Sequence, residues 1–334
     1  MKKSRDTWRS LLVTVACGAV TTAALGAAPP AGASCASFFG IGNGNGCTST
    51  LTTYAIAIGD GAQANAPTLF GGALAIGKNA NASTVTIGTS AFNFATAIGD
   101  NATASGFISL FSVALQLGEG TAATLGVGNI AIGVAQGLGN QAAVSGVGGI
   151  ALQLGRGTTN TVGSLSVAVG VSPLSAGNPL TSTTGFGSLA LNLFGRASAG
   201  GTSRVESSGF FNVAANILGD DSVVTTREFG GPSLPNLAFN VFGNRNTVAA
   251  GPGPLAIAGS IFQKGATVTR VGPGFNINGL AVPGEASGAS AASVPRRTVT
   301  TAAAPGVPTS TAAAPAQRPT VKAASSRSPR KNTG

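Results

Sequence analysis

The feature that most limits what this chain can fold into is a five-residue unit. In it, small and aliphatic residues alternate and a glycine closes the run. The unit stands as Ala55-Ile56-Ala57-Ile58-Gly59, Ala73-Leu74-Ala75-Ile76-Gly77, Thr84-Val85-Thr86-Ile87-Gly88 and Ala95-Thr96-Ala97-Ile98-Gly99, with glycines 18, 11 and 11 residues apart. A polar residue usually follows, as at Asp60, Lys78, Thr89 and Asp100, and then a run of Ala, Asn, Ser and Thr. Alternation with period two is the signature of a strand, and glycine followed by Asp or Asn is turn chemistry. A strand this short buries nothing alone, but coils stacked on one another share a continuous core. Helices are disfavoured, because glycine recurs often and each one costs a helix about 1 kcal/mol against alanine.

Further along, the unit lengthens. Val113-Ala114-Leu115-Gln116-Leu117-Gly118 and Ile150-Ala151-Leu152-Gln153-Leu154-Gly155 lie 37 residues apart, as do Ile130-Ala131-Ile132-Gly133 and Val167-Ala168-Val169-Gly170. The last full units carry phenylalanine and asparagine and repeat every 24 residues: Leu189–Gly195, Val213–Gly219 and Leu237–Gly243. A degenerate unit runs from Pro254 to Gly259. These runs predict an all-β, repetitive β-solenoid over 55–282. Its strands should lengthen and its cross-section widen toward the C-terminus, and its outer face should be Ala, Thr, Ser and Asn. The Pro/Gly-rich stretch from Pro252 to Pro283 is expected to cover the far end.

The segments on either side have other compositions. Residues 1–33 read as a secretory signal peptide. Lys2, Lys3, Arg5 and Arg9 form the basic start, Leu11 to Ala28 is uncharged and largely apolar, and Ala31-Gly32-Ala33 supplies the cleavage pattern. The competing reading of the same stretch is a retained membrane anchor. Cleavage after Ala33 removes Cys17 and leaves Cys35 and Cys47, which predict one disulfide closing an N-terminal cap over 34–54. Residues 283–334 hold no Leu, Ile, Phe, Tyr or Trp. They read as a disordered, basic, Pro/Ala/Ser/Thr-rich tail.

Charge adds a constraint on partners. The formal net charge of +10 divides into +3 from 1–33, +6 from 283–334 and only +1 from 34–282. The repeat body thus has no basic face, and with Tyr54 as its one tyrosine it lacks the aromatic–basic interleaving of nucleic-acid binders. Histidine is absent, which excludes every mechanism that needs an imidazole. Neither a cofactor nor a metal is expected, and no integral membrane span is expected once the signal is removed.

The repeats at Ala55–Gly59, Ala73–Gly77 and Ala95–Gly99, and more loosely Val113–Gly118 and Asn129–Gly133, resemble the head repeats of the YadA-type trimeric autotransporter adhesins. The likeness is mainly over 55–134. It implies a left-handed parallel β-roll, a homotrimer of side-by-side chains, and binding to envelope or host-surface components, polysaccharide among them. The Ala/Gly-rich composition as a whole is similar to that of secreted actinobacterial envelope proteins. The function expected is that of a secreted or cell-surface structural or adhesive repeat protein without catalytic activity.

The alternative in a different class is a β-helical enzyme or binding protein acting on polysaccharide through Asp220 and Asp221. Glu206, Glu228, Arg204 and Arg227 lie near these in sequence. Adjacent strand residues point to opposite faces, so Asp220 and Asp221 would have to occupy a turn to act together. Hexads such as Ile58–Gln63 and Ile76–Asn81 resemble those of hexapeptide acyltransferases, another left-handed β-helix family. That family's contiguous hexads and histidine base are both missing here.

Overall fold

A computed structural model describes residues 34–281, apart from 44–45, 86–89, 136–138 and 227–234. The chain divides into a unit Met1–Val294 and a unit Pro295–Gly334, and all the described residues belong to the first. The predicted signal peptide, the tail, and Arg227 and Glu228 lie outside the described residues.

The described unit is all-β and solenoidal. Consecutive strands alternate between two sheets, one of 15 strands and one of 12. Each strand pairs in parallel with the strand one coil earlier and one coil later, for example Val113–Leu117 with Asn93–Ile98 and with Ile130–Val134. Only the two ends differ. Ser34–Phe38 runs antiparallel to Thr53–Ile58, and Leu280–Ala281 folds back antiparallel on Gly274–Ile277. A template edge in the larger sheet is thereby closed at both ends by a reversed strand. The Cys35–Cys47 disulfide, Cα atoms 5.6 Å apart, ties the N-terminal cap strand to Cys47–Ser49, the first strand of the smaller sheet. Covering of the C-terminal end is narrower than the sequence suggests. Ala256–Ile261, Thr267–Arg270 and Gly274–Ile277 still belong to coils, and only Leu280–Ala281 turns over the end.

The alternation places the small residues inside. Ala55, Ala57, Ala73, Ala75, Ala95, Ala114, Ala131, Ala151, Ala190, Ala214 and Ala238 are all buried within the larger sheet. The interleaved Ile, Leu and Val point outward. This reverses the predicted exterior for the larger sheet, because period two fixes which residues share a face without saying which face is inside. The physical reason is a thin interior: in the early coils alanine methyls from both sheets fill it, in the later ones the alanines of the larger sheet face Val205, Val224, Val248 and Val268, and a side chain as long as glutamine needs a vacancy in the next coil. Gln116 and Gln153 show this directly. A Cβ on Gly133 would meet Gln116 Oε1, and one on Gly170 would meet Gln153 Oε1. Each glutamine therefore takes up the space of two coils, which accounts for the 37-residue repeat as a glutamine coil followed by a glycine coil.

Later coils replace this pair with an asparagine ladder. Asn192, Asn216 and Asn240 are fully buried and stand in register. Asn216 Nδ2 donates to Asn192 Oδ1 at 3.0 Å, and Asn240 Nδ2 donates to Asn216 Oδ1 at 2.8 Å. A second set of asparagines works at a corner. Asn212 Oδ1 accepts from the Asn236 amide at 2.8 Å, and Asn236 Oδ1 accepts from the Ala256 amide at 2.9 Å. Each of these side chains bonds to a neighbouring coil, which makes its burial tolerable, although Asn192 Nδ2 and Asn236 Nδ2 are left without a partner.

The strands do not lengthen toward the C-terminus. Those of the larger sheet hold five or six residues from Thr53–Ile58 to Ala256–Ile261. Those of the smaller sheet shorten from nine residues in Ala102–Leu110 to four in Thr247–Ala250. The longer spacing goes into turns instead, as between Ser172 and Leu180 and between Leu193 and Arg204.

Two outcomes test this packing. Gly170→Ala is expected to destabilise the fold by about 1–3 kcal/mol through overpacking. Adding Gln153→Ala should restore part of that loss, since the two positions share one space. Both are read from urea unfolding followed by circular dichroism, and strict additivity would contradict the shared space. Separately, reducing Cys35–Cys47 is expected to cost up to about 3 kcal/mol by the loop-entropy relation. In a stack of coils that loss should fall on the N-terminal end. Hydrogen exchange should report lost protection in Ser34–Phe38 and Thr53–Ile58, with Val213–Ile217 unchanged.

Candidate interaction surfaces

Stacking in register turns each strand position into a column, and the columns give the solenoid a differentiated exterior. Outward columns of the larger sheet are predominantly apolar from end to end. Ile58, Ile76, Ile98, Leu117, Val134, Leu154, Val171, Leu193, Ile217, Val241 and Ile261 make one of them. Leu115, Ile132, Leu152, Val169 and Leu191 belong to the next. Tyr54, Phe94, Val113, Ile130 and Ile150 lie in the third, which also passes through Gly72. Among the described residues, no charged side chain falls in any of the three.

The smaller sheet presents the chemistry expected for the exterior in two of its columns, Thr48, Asn65 and Ser83 in one and Gln63, Asn81, Thr103, Thr121 and Gln141 in the next, while Phe107, Leu125 and Val162 stand exposed in another. Near the N-terminal end this face holds a shallow depression of about 400 Å³. It is lined by Thr48, Gln63, Asn65, Asn81, Ser83, Thr103, Ser105 and Phe107 among others. Uncharged amides and hydroxyls beside one aromatic ring make a surface able to hydrogen-bond a polyhydroxylated chain.

Most charged side chains occupy one edge, the turn leading from the larger sheet to the smaller. Asp60, Lys78, Asp100, Glu119, Arg156, Arg196, Asp220, Asp221, Arg245 and Lys264 all lie there, between successive strands. Five of them, Asp100, Arg156, Arg196, Asp220 and Asp221, bond to a neighbouring coil. The Lys78 amide donates to Asp100 Oδ1 at 2.9 Å. Arg196 donates to both carboxylate oxygens of Asp220, at 3.2 and 3.1 Å, and the carboxylate raises the guanidinium pKa by hydrogen bonding and charge.

The predicted acidic cluster is dispersed by this arrangement. Asp220 and Asp221 do occupy a turn, with Asp221 at φ 48°. Asp221 accepts from the Ser198 amide and hydroxyl, both at 2.8 Å, so its carboxylate braces the preceding coil. Glu206 and Arg204 pair with each other on the strand Arg204–Phe210, on the outer face of the smaller sheet. Each of the four is thus engaged by a partner on the surface. Among the described residues, no group of three or more His, Cys, Asp or Glu is placed to hold a metal ion. Also among them, no helix is long and apolar enough to cross a membrane.

The remaining edge, where the smaller sheet returns to the larger, is apolar. Phe111, Gly128, Gly148, Leu165, Gly187 and Phe211 occupy the same turn position in successive coils, each amide bonding to the coil before. All six are left-handed, with φ between 51° and 67°. Phe92 continues the series, and the rings of Phe70, Phe92 and Phe111 stack at 5.0 and 4.8 Å. The sequence reading missed the apolar face and this edge. The signal that could have found them is the constancy of alanine at alternate positions while the aliphatic type varied. A core position keeps its volume and a surface position drifts.

Comparison with protein-family models, with curated proteins and with solved structures finds no match to this chain. The geometry alone carries the functional reading.

Tyr54 is a probe of the apolar face. Burial raises its phenol pKa above the ordinary tyrosine value. It is the only tyrosine in the chain, so an absorbance titration reports it alone and should show a midpoint above that of free tyrosine. An acid with a raised folded pKa keeps its proton where the unfolded chain has lost it. Its contribution to stability is therefore complete below about pH 10 and lost as pH rises further. Tyr54→Phe should remove that part of the alkaline destabilisation, and an identical alkaline limb in both proteins would contradict the assignment.

Proposed function

We propose that this chain is a non-catalytic structural or adhesive rod that works outside the cell or at its surface. One observation carries the reading. Most charged groups are spread about one per coil along a single edge, where Asp100, Arg156, Arg196, Asp220 and Asp221 bond to a neighbouring coil, while a face bearing hydroxyls and amides lies open. A polysaccharide-cleaving enzyme needs carboxylates converging on one bond with their pKa values driven apart. Asp220 and Asp221 each serve a different partner, and Glu206 is paired with Arg204. Export is supported by the basic and apolar pattern of residues 1–33 and by the Cys35–Cys47 disulfide, which suits an oxidising compartment.

The test is co-sedimentation of the full chain with insoluble cell-wall polysaccharide, with released reducing ends assayed in the same tubes. Retention without release is the expected result. Asn65→Ala with Asn81→Ala should reduce retention several-fold, and Asp220→Asn should leave it unchanged. Release of reducing ends that Asp220→Asn abolishes would replace this reading with the enzymatic one. Failure to sediment with any wall fraction would remove the adhesive role.

A further inference from the structure

The aliphatic face of the larger sheet is too extensive for a surface that stays in water. Strands of five residues at about 3.3 Å per residue, stacked at about 4.8 Å over roughly 11 coils, give it a projected area on the order of 800 Å². The largest apolar patch on a typical monomer is about 300–600 Å². What one partner contributes to a standard protein–protein interface is about 800 Å².

Two features show that the face is shaped as well as apolar. First, it is levelled. The Tyr54 ring lies over Gly72 and the Phe239 ring over Gly259, where a Cβ on either glycine would overlap the ring. Each large residue thus fills the dip left by its neighbour. Second, the adjoining edge carries left-handed phenylalanines that stay exposed although their rings also contact neighbouring rings along the chain. Phe111 and Phe211 hold φ values of 55° and 51° while 58% and 55% exposed. Gly128, Gly148 and Gly187 make the same turn without a side chain. A bulky left-handed residue costs roughly 1–2 kcal/mol, so exposed phenylalanines there point to something that covers them.

We propose that this face is buried against the same face of a second copy of the chain, as a two-fold pair. The surface is self-complementary in the simplest way, because ridges one strand apart on one copy meet grooves of equal spacing on the other. Burial strands few polar groups, since the side-chain polar atoms in the three columns are the hydroxyls of Tyr54 and Thr96 and, where the cap strand extends the first column, that of Ser34. A two-fold pair also needs only this one surface on each chain, whereas three chains around an axis need two different ones. A lipid surface makes no use of levelled ridges, and the adjacent edge, with five cations balanced by five carboxylates, offers no net positive charge to an anionic membrane. The pairing is independent of what the hydroxyl-bearing face binds.

Sedimentation equilibrium of the full chain decides it. The wild-type chain is expected to be dimeric at micromolar concentration. Leu152→Lys, at mid-face, should raise the dissociation constant by roughly 100-fold or more, because it buries an unpaired charge. Asn160→Lys, on the opposite face, should leave the dimer intact. Circular dichroism spectra matching the wild type would show that both variants fold. Phe111→Gly should weaken association and leave the thermal midpoint of the Leu152→Lys monomer unlowered, where a purely structural phenylalanine would do the reverse. A wild-type monomer, a trimer, or a dimer indifferent to Leu152→Lys would each overturn the two-fold pairing. So would a monomer that floats with phosphatidylcholine vesicles, in favour of lipid.

Discussion

Everything in this molecule depends on the parallel hydrogen-bonded register between successive coils. Once each coil sits directly above the last, every position becomes a column, and a side chain's nearest neighbour is its counterpart one turn away. The interior must then be satisfied column by column. Alanine solves the problem by default, since a methyl from each sheet fills the gap. Glutamine needs a glycine above it, as at Gln116 with Gly133 and Gln153 with Gly170. Asparagine solves it by bonding to its own kind along Asn192, Asn216 and Asn240. The changing repeat lengths in the sequence mark a change from one solution to another.

The buried amides also set the register. A ladder of identical apolar residues could slip by two residues at small loss, because only methyl contacts would be exchanged. An asparagine out of step would leave a buried donor or acceptor without a partner, at about 1–3 kcal/mol each. The ladder's own end illustrates the point: Asn192 Nδ2 has no partner, and the coil before it places Gly170 at that position. One such loss is borne at the junction between two packing solutions. Several along a slipped coil would not be.

The architecture was legible from the sequence because strand alternation, terminal glycines and turn residues all repeat together. The Cys35–Cys47 pairing was legible for a different reason, being the one pair left if residues 1–33 are read as a leader that is removed. The inside-out phase was not legible from alternation alone. Ala55-Ile56-Ala57-Ile58 reads equally well with either set inward, and the usual preference for burying isoleucine points the wrong way. What decides is the thickness of the interior, and that depends on the facing strand, where Ala64 and Ala66 are also fully buried. The acidic cluster was misleading for a related reason. Asp220, Asp221 and Glu206 are close in sequence, but the coil carries them to an edge and a face with separate partners.

An inverted alternation of this kind links the fold to its use. A solenoid that buried its aliphatic residues would be a self-contained rod with a polar surface on every side. Here alanine and amides hold the rod together, and the aliphatic residues remain outside, ordered in columns. The stability of one chain is then modest per coil, while the free energy available for contact with a partner is large. One rod can carry both an apolar docking face and, on the opposite sheet, rows of Thr, Asn, Ser and Gln open to water. Between the two faces run one edge that carries most of the charges together with the exposed Phe194, Leu218, Phe242 and Phe262, and another that carries Phe92, Phe111 and Phe211, so that covering the apolar face leaves the opposite sheet free. The hydroxyl- and amide-bearing face is then the one turned outward.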